Sequence, residues 1–299
     1  MVGKLDTSIE SSPWRGIGFF VAAWFVVPNM DVAAKLLGQW GYPVLMVVWA
    51  RFAFSLLILL LVIPFEGKSI FLFPREPGKH VMRALLLVLA TVGFFHGLKT
   101  MPLADALATY FVYPFLITAL APIFLAERPG WRRWTAVGFG FVGSLIVIRP
   151  GLNGLSEGTV YVLFAALAFS GYNLMTRSLR DKDDPWRTVT FQSLIGLVAT
   201  TPFLFWYWHA PAIDGFFLFI VIGFAATLGH YFLVRAFALA PAPVLAPFAY
   251  VEIVAATVLG YIVFGEFPDI WTWTGVAVIA ASGIVIAVRE GKVGPKSSS

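Results

Sequence analysis

Four ionisable side chains lie inside strongly apolar stretches of this 299-residue chain, and they are the residues best placed to do chemistry. Arg51 and Glu252 are the only charged residues in runs 43–63 and 243–264, and His96 and His230 lie in two other runs. A charge at the centre of a bilayer costs roughly 3 kcal/mol or more, so such residues are candidates for binding a substrate or a proton. The alternative is structural: an Arg51–Glu252 ion pair, and histidines hydrogen-bonded within or between helices.

A second group of polar residues lies near the outer end of the first run and in its counterpart later in the chain. Asp31 and Lys35 are one helical turn apart, so they can form an i,i+4 ion pair or a gate at the mouth of a cavity. Asn29 and Asn173 can orient a polar substrate.

Aromatic residues with hydroxyl groups, Tyr110, Tyr113 and Tyr250, lie in runs 103–126 and 243–264. The same runs contain Pro114 and Pro247, and a proline removes one backbone hydrogen bond from a helix. Broken helices near the midplane are where transporters bind substrates, although an ordinary packing kink explains the prolines equally well.

Ten apolar runs must position these side chains, and each is long enough to cross a bilayer as a helix. Hydrophobic residues make up 59% of the chain and charged residues only 12%, against about 25% charged in soluble domains. The runs cover 14–36, 43–63, 80–99, 103–126, 131–149, 157–178, 186–208, 214–235, 243–264 and 270–289. We therefore predict an all-α membrane protein with ten transmembrane helices.

Basic residues indicate the orientation of the spans. With a cytoplasmic N-terminus, 17 of the 21 Lys and Arg residues fall in inner segments, three in outer segments, and Arg51 within a span. This bias predicts a multi-pass protein of the bacterial inner membrane with both termini in the cytoplasm, as tails 1–13 and 290–299. Because the basic residues are dispersed among loops, we expect no nucleic-acid binding.

The chain contains an internal repeat. Residues 102–149 match residues 241–288 at a constant offset of 139, which places Glu127 opposite Glu266. An offset of 142 places Asp31 opposite Asn173 and Lys35 opposite Arg177. Because each half, 14–149 and 157–289, has five spans, we predict that the halves are inverted relative to each other, which suits alternating access. Glu127 and Glu266, each ending a span before a proline, are candidates for backbone binding or gating.

These features resemble the EamA-type members of the drug/metabolite transporter superfamily. The resemblance rests on the five-plus-five repeat, the Pro-x24-Glu-x-Pro pattern, Arg51-Phe52, and glycines 138–143 of the fifth run. It implies ten helices, a central cavity, a small organic substrate, and dimer contacts through the fifth and tenth spans. Residues 103–106, His230-Tyr231 and residues 250–252 look most like importers of riboflavin and S-adenosylmethionine.

We expect a secondary transporter, with uptake of a flat vitamin-like compound such as riboflavin as the first prediction. Proton-coupled export of amino acids, drugs or other metabolites is the alternative, and a membrane-embedded enzyme is a remote one. Transport is coupled to protons through Glu252 or His230, or the protein is a facilitator without ion coupling. We expect no cofactor and no metal, since the chain has no cysteine and no metal-ligand motif.

One familiar motif is rejected. Gly138, Gly140 and Gly143 match the dinucleotide-binding pattern G-x-G-x-x-G, but they lie inside an apolar run and follow no strand. We predict that they, like Gly93 and Gly97, allow close packing between helices.

Overall fold

The computed structural model describes residues 13–62, 73–125, 131–149, 155–179, 183, 185–240, 245, 248 and 251–292. Within these ranges the chain is helical, with no β-strand, and one short 3-10 turn at Thr201–Phe203. The α-helices are α1 (Pro13–Gln39), α2 (Val44–Val62), α3 (Pro77–Leu98), α4 (Leu103–Tyr110), α5 (Tyr113–Leu125), α6 (Trp131–Ile148), α7 (Glu157–Ser178), α8 (Pro185–Thr200), α9 (Leu204–Tyr207), α10 (Ile213–Leu239), α11 (Val251–Phe264) and α12 (Ile270–Lys292).

Seven stretches are long and apolar enough to cross a membrane. They are Trp14–Gln39, Val44–Val62, Pro77–Leu98, Leu103–Phe124, Glu157–Ser178, Trp186–Tyr207 and Ile213–Leu233. Three shorter apolar helices accompany them: Gly138–Ile148, Val251–Phe264 and Ile270–Ser282. The all-helical membrane class is confirmed, whereas the arrangement of ten spans in two inverted repeats stays a prediction.

Two of the ten predicted spans are interrupted. Residues 103–126 split into α4 and α5 at Phe111 and Val112, next to Pro114. Proline has no N–H, and its ring excludes the carbonyl group four residues earlier, so an uninterrupted helix is disfavoured there. Of the two alternatives for Pro114, a broken helix and a packing kink, the structure has the break. Residues 186–208 are interrupted in the same way by the 3-10 turn around Pro202.

Some predictions fall on residues outside the described ranges. These are Glu127, Tyr250 and Pro247, together with most of the two terminal tails. The C-terminal helix α12 runs to Lys292, three residues beyond the predicted end of the last span.

The helices form two packed groups. In the first lobe, α10 packs along α1 and α2, and α11 packs on α1. In the second lobe, α7 packs along α3, α4 and α5, and α8 packs on α3. The lobes meet where α2 contacts α8 and where α4 contacts α11, while α6 and α12 pack chiefly on each other.

Glycines allow close helix contacts at Gly93 and Gly143, as predicted, but the prediction is wrong for Gly138, which faces no neighbouring helix. A Cβ atom at Gly93 of α3 would lie 2.9 Å from the Tyr161 carbonyl oxygen of α7. A Cβ at Gly143 of α6 would lie 2.8 Å from the Gly275 carbonyl oxygen of α12, whereas one at Gly138 would meet nothing within 4 Å.

We predict that Gly143→Ala destabilises the fold by about 1–3 kcal/mol, because the added methyl group has no space between α6 and α12. The matched control, Gly138→Ala, should be neutral or stabilising by up to about 1 kcal/mol, because it only raises helix propensity. Unfolding of the two variants in detergent, followed by circular dichroism, measures the difference. Equal effects at both positions would contradict the packing role of the glycine motif.

Candidate functional site

Four helices contribute ionisable side chains that interact with one another as a cluster. It contains Asp31 of α1, Arg51 of α2, Tyr110 of α4 and Glu252 of α11. Asp31 and Arg51 are only 2% and 8% exposed, and Glu252 is half-buried. The Arg51 guanidinium donates a hydrogen bond from Nη1 to Thr91 Oγ1 of α3, which connects the two lobes.

Asp31 interacts with both other charged groups of this cluster. Asp31 is the carboxylate that acts on Arg51, and Tyr110 and Tyr172 also act on it. Asp31 also acts on the Glu252 carboxyl. Asp31 thus interacts with both the Arg51 guanidinium and a second acidic group, and its Oδ1 has no hydrogen-bond partner among the described residues. A proton or a cationic group of a ligand would complete the charge balance, since unpaired charges are costly inside a membrane.

Aromatic rings adjoin the charged cluster. The ring centroid of Tyr110 lies 5.6 Å from that of Tyr113 and 5.3 Å from that of Phe169. Phe169 stacks on Tyr172 with centroids 5.5 Å apart and an interplanar angle of 17°. The break between α4 and α5 lies between Tyr110 and Tyr113, so the interrupted helix carries two of these rings. Such a surface can stack against a flat ligand.

The two membrane histidines bind their own helices. Nδ1 of His96 lies 2.9 Å from the Val92 carbonyl oxygen, and Nδ1 of His230 lies 2.9 Å from the Ala226 carbonyl oxygen. Since a carbonyl oxygen can only accept, Nδ1 carries the hydrogen in both rings. His96 also stacks on Tyr161, with ring centroids 4.9 Å apart. In each histidine, Nδ1 is therefore used in a hydrogen bond to its own helix, as the structural alternative predicted.

The two asparagines make similar local bonds. Nδ2 of Asn29 donates to the Phe25 carbonyl oxygen at 2.7 Å, and Nδ2 of Asn173 donates to that of Phe169 at 2.8 Å. Asn29 is exposed and Asn173 is half-buried. Neither hydrogen bond involves a residue of the charged cluster, and a role of the two side chains in orienting a substrate stays a prediction.

A clamp of polar contacts joins the lobes at the end of α1 that we predict to be outer. Lys35 Nζ lies 2.5 Å from Glu266 Oε1, although the two residues are 231 positions apart. Lys35 also donates to the Met101 carbonyl oxygen at 2.8 Å, and Glu266 Oε2 accepts from the Leu103 N–H at 3.2 Å. The pair from the first lobe thus holds both a carbonyl and an amide of the α3–α4 turn. The Lys35 cation pairs with Glu266 and not with Asp31, its i,i+4 neighbour, and the gate, which was the other alternative for these residues, stays a prediction.

A second ion pair at the same end is solvent-exposed. Arg149 Nη1 lies 2.6 Å from Asp269 Oδ2, with the side chains 47% and 45% exposed. Asp269 also caps α12 by accepting from the Thr272 N–H at 2.8 Å. This backbone hydrogen bond holds the pKa of the Asp269 carboxyl below its usual value. Exposed pairs of this kind contribute little to stability.

A network at the opposite end was missed from the sequence. Arg83 of α3 is buried and donates to Gln192 Oε1 at 2.7 Å and to the Thr188 carbonyl oxygen at 3.3 Å. Nearby, His80 Nε2 lies 3.2 Å from Asp183 Oδ2. Arg83 is the fourth residue of run 80–99. We counted it among the basic residues of the inner loops, and for that reason its burial was not predicted. These contacts stay within the second lobe and tie its helices together.

Helices of this length and composition make the chain a multi-pass membrane protein, and comparison with known proteins defines its family. The model of the EamA-like transporter family matches residues 14–149 and again residues 156–288. The chain belongs to the EamA-like transporter family, which confirms the resemblance to EamA-type drug/metabolite transporters.

Individual relatives are similar over nearly the whole chain. An S-adenosylmethionine uptake transporter of Rickettsia felis is 28% identical over 277 residues, covering 93% of this chain and 94% of the relative. A riboflavin transporter of Rhizobium johnstonii is 27% identical over 298 residues, covering 95% and 96%. One protein of known crystal structure shares the fold with a TM-score of 0.69 at 14% identity, covering 95% of this chain and 99% of its own.

We predict that Lys35→Met opens the outer end more often, because the clamp loses its cation and its bond to Met101. Since the chain has no cysteine, Val32→Cys places a single thiol at a buried position one turn inward from Lys35. Its labelling by a membrane-impermeant maleimide should rise about tenfold, as expected when a charged hydrogen bond of about 1.5 kcal/mol is lost.

Arg149→Gln is the matched control, because it removes the exposed ion pair at the same end of the molecule. Labelling of Val32→Cys should not change in that background. An equal rise in both backgrounds would show that loss of surface charge, and not loss of the clamp, controls access.

Proposed function

We propose that this protein is a secondary transporter that takes up a flat heteroaromatic metabolite by alternating access. The observation that carries the proposal is the cluster of Asp31, Arg51 and Glu252 beside the rings of Tyr110 and Tyr113. Ionisable residues facing the interior of a membrane bundle mark substrate and ion pathways by default. The flat aromatic surface and the charges lie side by side, as a flat ligand with polar groups requires.

Among flat heteroaromatic metabolites, the charged groups of the cluster favour a charged substrate over an uncharged one. S-adenosylmethionine combines a flat base with an ammonium, a carboxylate and a sulfonium group. An ammonium suits Asp31 or Glu252, and a carboxylate suits Arg51, whose guanidinium can bind it bidentately. Riboflavin, the substrate expected from the sequence, offers a larger ring and hydroxyl groups but no strong charge. We therefore place S-adenosylmethionine-like compounds first and riboflavin second.

Alternating access uses the two lobes as rigid bodies. The clamp of Lys35 and Glu266 on the α3–α4 turn closes the outer end. The hydrogen bond from Arg51 to Thr91 joins the two lobes inside the bundle. Uptake begins when the clamp opens, and substrate bound at the midplane then favours closure by contacting both lobes. Glu127, the repeat counterpart of Glu266, is the corresponding gate candidate on the inner side by sequence alone.

The charge distribution supports a particular membrane location and orientation of the protein. We propose insertion in the bacterial inner membrane with both termini cytoplasmic, on the basis of the 17 inner basic residues. A homodimer through α6 and α12 is supported by their position outside the two lobes.

Binding of substrate is tested by thermal stabilisation of the purified protein in detergent, because a ligand that binds the folded state raises its apparent stability. S-adenosylmethionine should raise the melting temperature, and the shift should be lost in Arg51→Gln and in Tyr113→Ala. A shift with riboflavin that survives Arg51→Gln would favour the second substrate. Shifts only with amino acids or cationic drugs would instead favour the export alternative.

We predict that Glu252→Gln abolishes the part of uptake that depends on a pH gradient, because the amide cannot carry a proton. Uptake into proteoliposomes with and without an imposed gradient measures this part, and folding is checked by the melting temperature. His230→Gln is the comparison, since His230 is the other proton candidate. Full gradient-driven uptake by the Glu252 variant would exclude it as the proton carrier.

A further inference from the structure

The turn at the end of α11 has a backbone conformation that favours glycine. Gly265 has a φ angle of +69°, in the left-handed region where the Cβ atom of another residue crowds the backbone. Its N–H donates to the Tyr261 carbonyl oxygen at 3.0 Å, and the N–H of Glu266 donates to the Gly260 carbonyl oxygen at 3.1 Å. These two hydrogen bonds close the last turn of the helix and fix the direction in which the chain leaves it.

The residues on either side of Gly265 hold the same cation. Lys35 Nζ lies 2.5 Å from Glu266 Oε1 and 4.9 Å from the centroid of the Phe264 ring. Residues two positions apart lie on different faces of a continuing helix, so their side chains do not meet there. The left-handed residue between them turns Glu266 back to the side of Phe264, and both groups reach the one ammonium.

We propose that Gly265 is a positioning residue of the outer clamp, because its left-handed turn directs Glu266 onto Lys35 and so favours the closed outer end. The inference rests on the gating role that the proposed function gives to the clamp. When Glu266 leaves Lys35, the turn is free to relax to another conformation. Lys35 is not then left without a countercharge, because Asp105 of α4 also acts on it.

The consequence is a link between the backbone preference of residue 265 and the opening of the clamp. Glycine adopts the left-handed turn without strain, so closure costs little. A residue with a Cβ atom is strained in the closed state and is relieved of that strain when the turn relaxes. A substitution should therefore shift the equilibrium towards the open outer end without removing any group of the clamp.

The space around Gly265 separates backbone preference from packing. A Cβ atom there would meet nothing within 4 Å, so Gly265→Ala adds no packing contact. Gly41 offers a matched control, since its φ angle is +86° and a Cβ atom there would also meet nothing within 4 Å. It follows the end of α1, where the N–H of Tyr42 donates to the Leu37 carbonyl oxygen at 3.0 Å. The control turn lies at the same end of the molecule, and no hydrogen bond described for it involves the clamp.

Labelling of Val32→Cys by the membrane-impermeant maleimide measures opening. Gly265→Ala should raise the labelling about tenfold, the factor that corresponds to about 1.4 kcal/mol of left-handed strain. Gly265→Asn should raise it less, because asparagine adopts the left-handed region more readily than alanine. Gly41→Ala should lower the melting temperature by a similar amount to Gly265→Ala and leave the labelling unchanged.

Double variants show whether Gly265 acts through Glu266. In a Glu266→Gln background the ion pair is already lost, so Gly265→Ala should add little to the labelling. The melting temperature gives a second measure that does not depend on gating. Gly265→Ala and Lys35→Met combined should lower it by less than the sum of the single effects, because both act on one interaction. If Gly265→Ala does not fold, Gly265→Asn and Gly41→Asn replace the two alanine variants.

The outcomes distinguish a failure of this inference from a failure of the proposed gate. Unchanged labelling in Gly265→Ala, with raised labelling in Lys35→Met, would overturn the positioning role and keep the clamp. An equal rise in Gly41→Ala would overturn it too, because any strained turn at this end would then open the protein. If Lys35→Met does not raise the labelling, the clamp is not the gate of the proposed function. Additive losses of melting temperature would then overturn the positioning role, and losses that are less than additive would support it.

Discussion

The absence of solvation inside a bilayer is the constraint on which the rest of this structure depends. Every charge placed there needs a partner, and every backbone group needs a hydrogen bond within the protein. The Arg51 guanidinium meets this demand with Thr91 and Asp31, which lie on two further helices. Three helices from both lobes are thus tied to one cation, and a ligand that supplies its own charges can compete for the same groups.

The outer clamp solves the same problem at the membrane boundary. Lys35 and Glu266 compensate each other, yet each keeps a bond to the backbone of the α3–α4 turn. The α3–α4 turn contributes only backbone groups to the clamp, the carbonyl of Met101 for Lys35 and the N–H of Leu103 for Glu266. Because the charged pair stays within the first lobe, separation of the lobes breaks two hydrogen bonds and leaves no isolated ion. That asymmetry makes the clamp suitable for repeated opening and closing.

Much of the fold followed from the sequence, because apolar length and proline act locally. The boundaries of α7 were predicted to the residue, and the interruption beside Pro114 was one of the two alternatives that the proline allowed. Pairing was harder to predict. Asp31 and Lys35 are correctly spaced neighbours, but Glu266 lies nearer to Lys35 in three dimensions, and sequence spacing cannot report a competitor 231 positions away. The burial of Arg83 was missed for the same reason: Gln192 and Thr188, which satisfy it, come from the other half of the chain.

The central claim is that the midplane cluster carries a flat, charged metabolite across the membrane. Solute counterflow tests it most directly: proteoliposomes are loaded with unlabelled S-adenosylmethionine and diluted into a trace of the labelled compound. We predict transient accumulation of label in wild-type vesicles and none in Arg51→Gln vesicles of equal protein content. Accumulation that is unchanged in Arg51→Gln, or absent for both S-adenosylmethionine and riboflavin with folded protein, would contradict it.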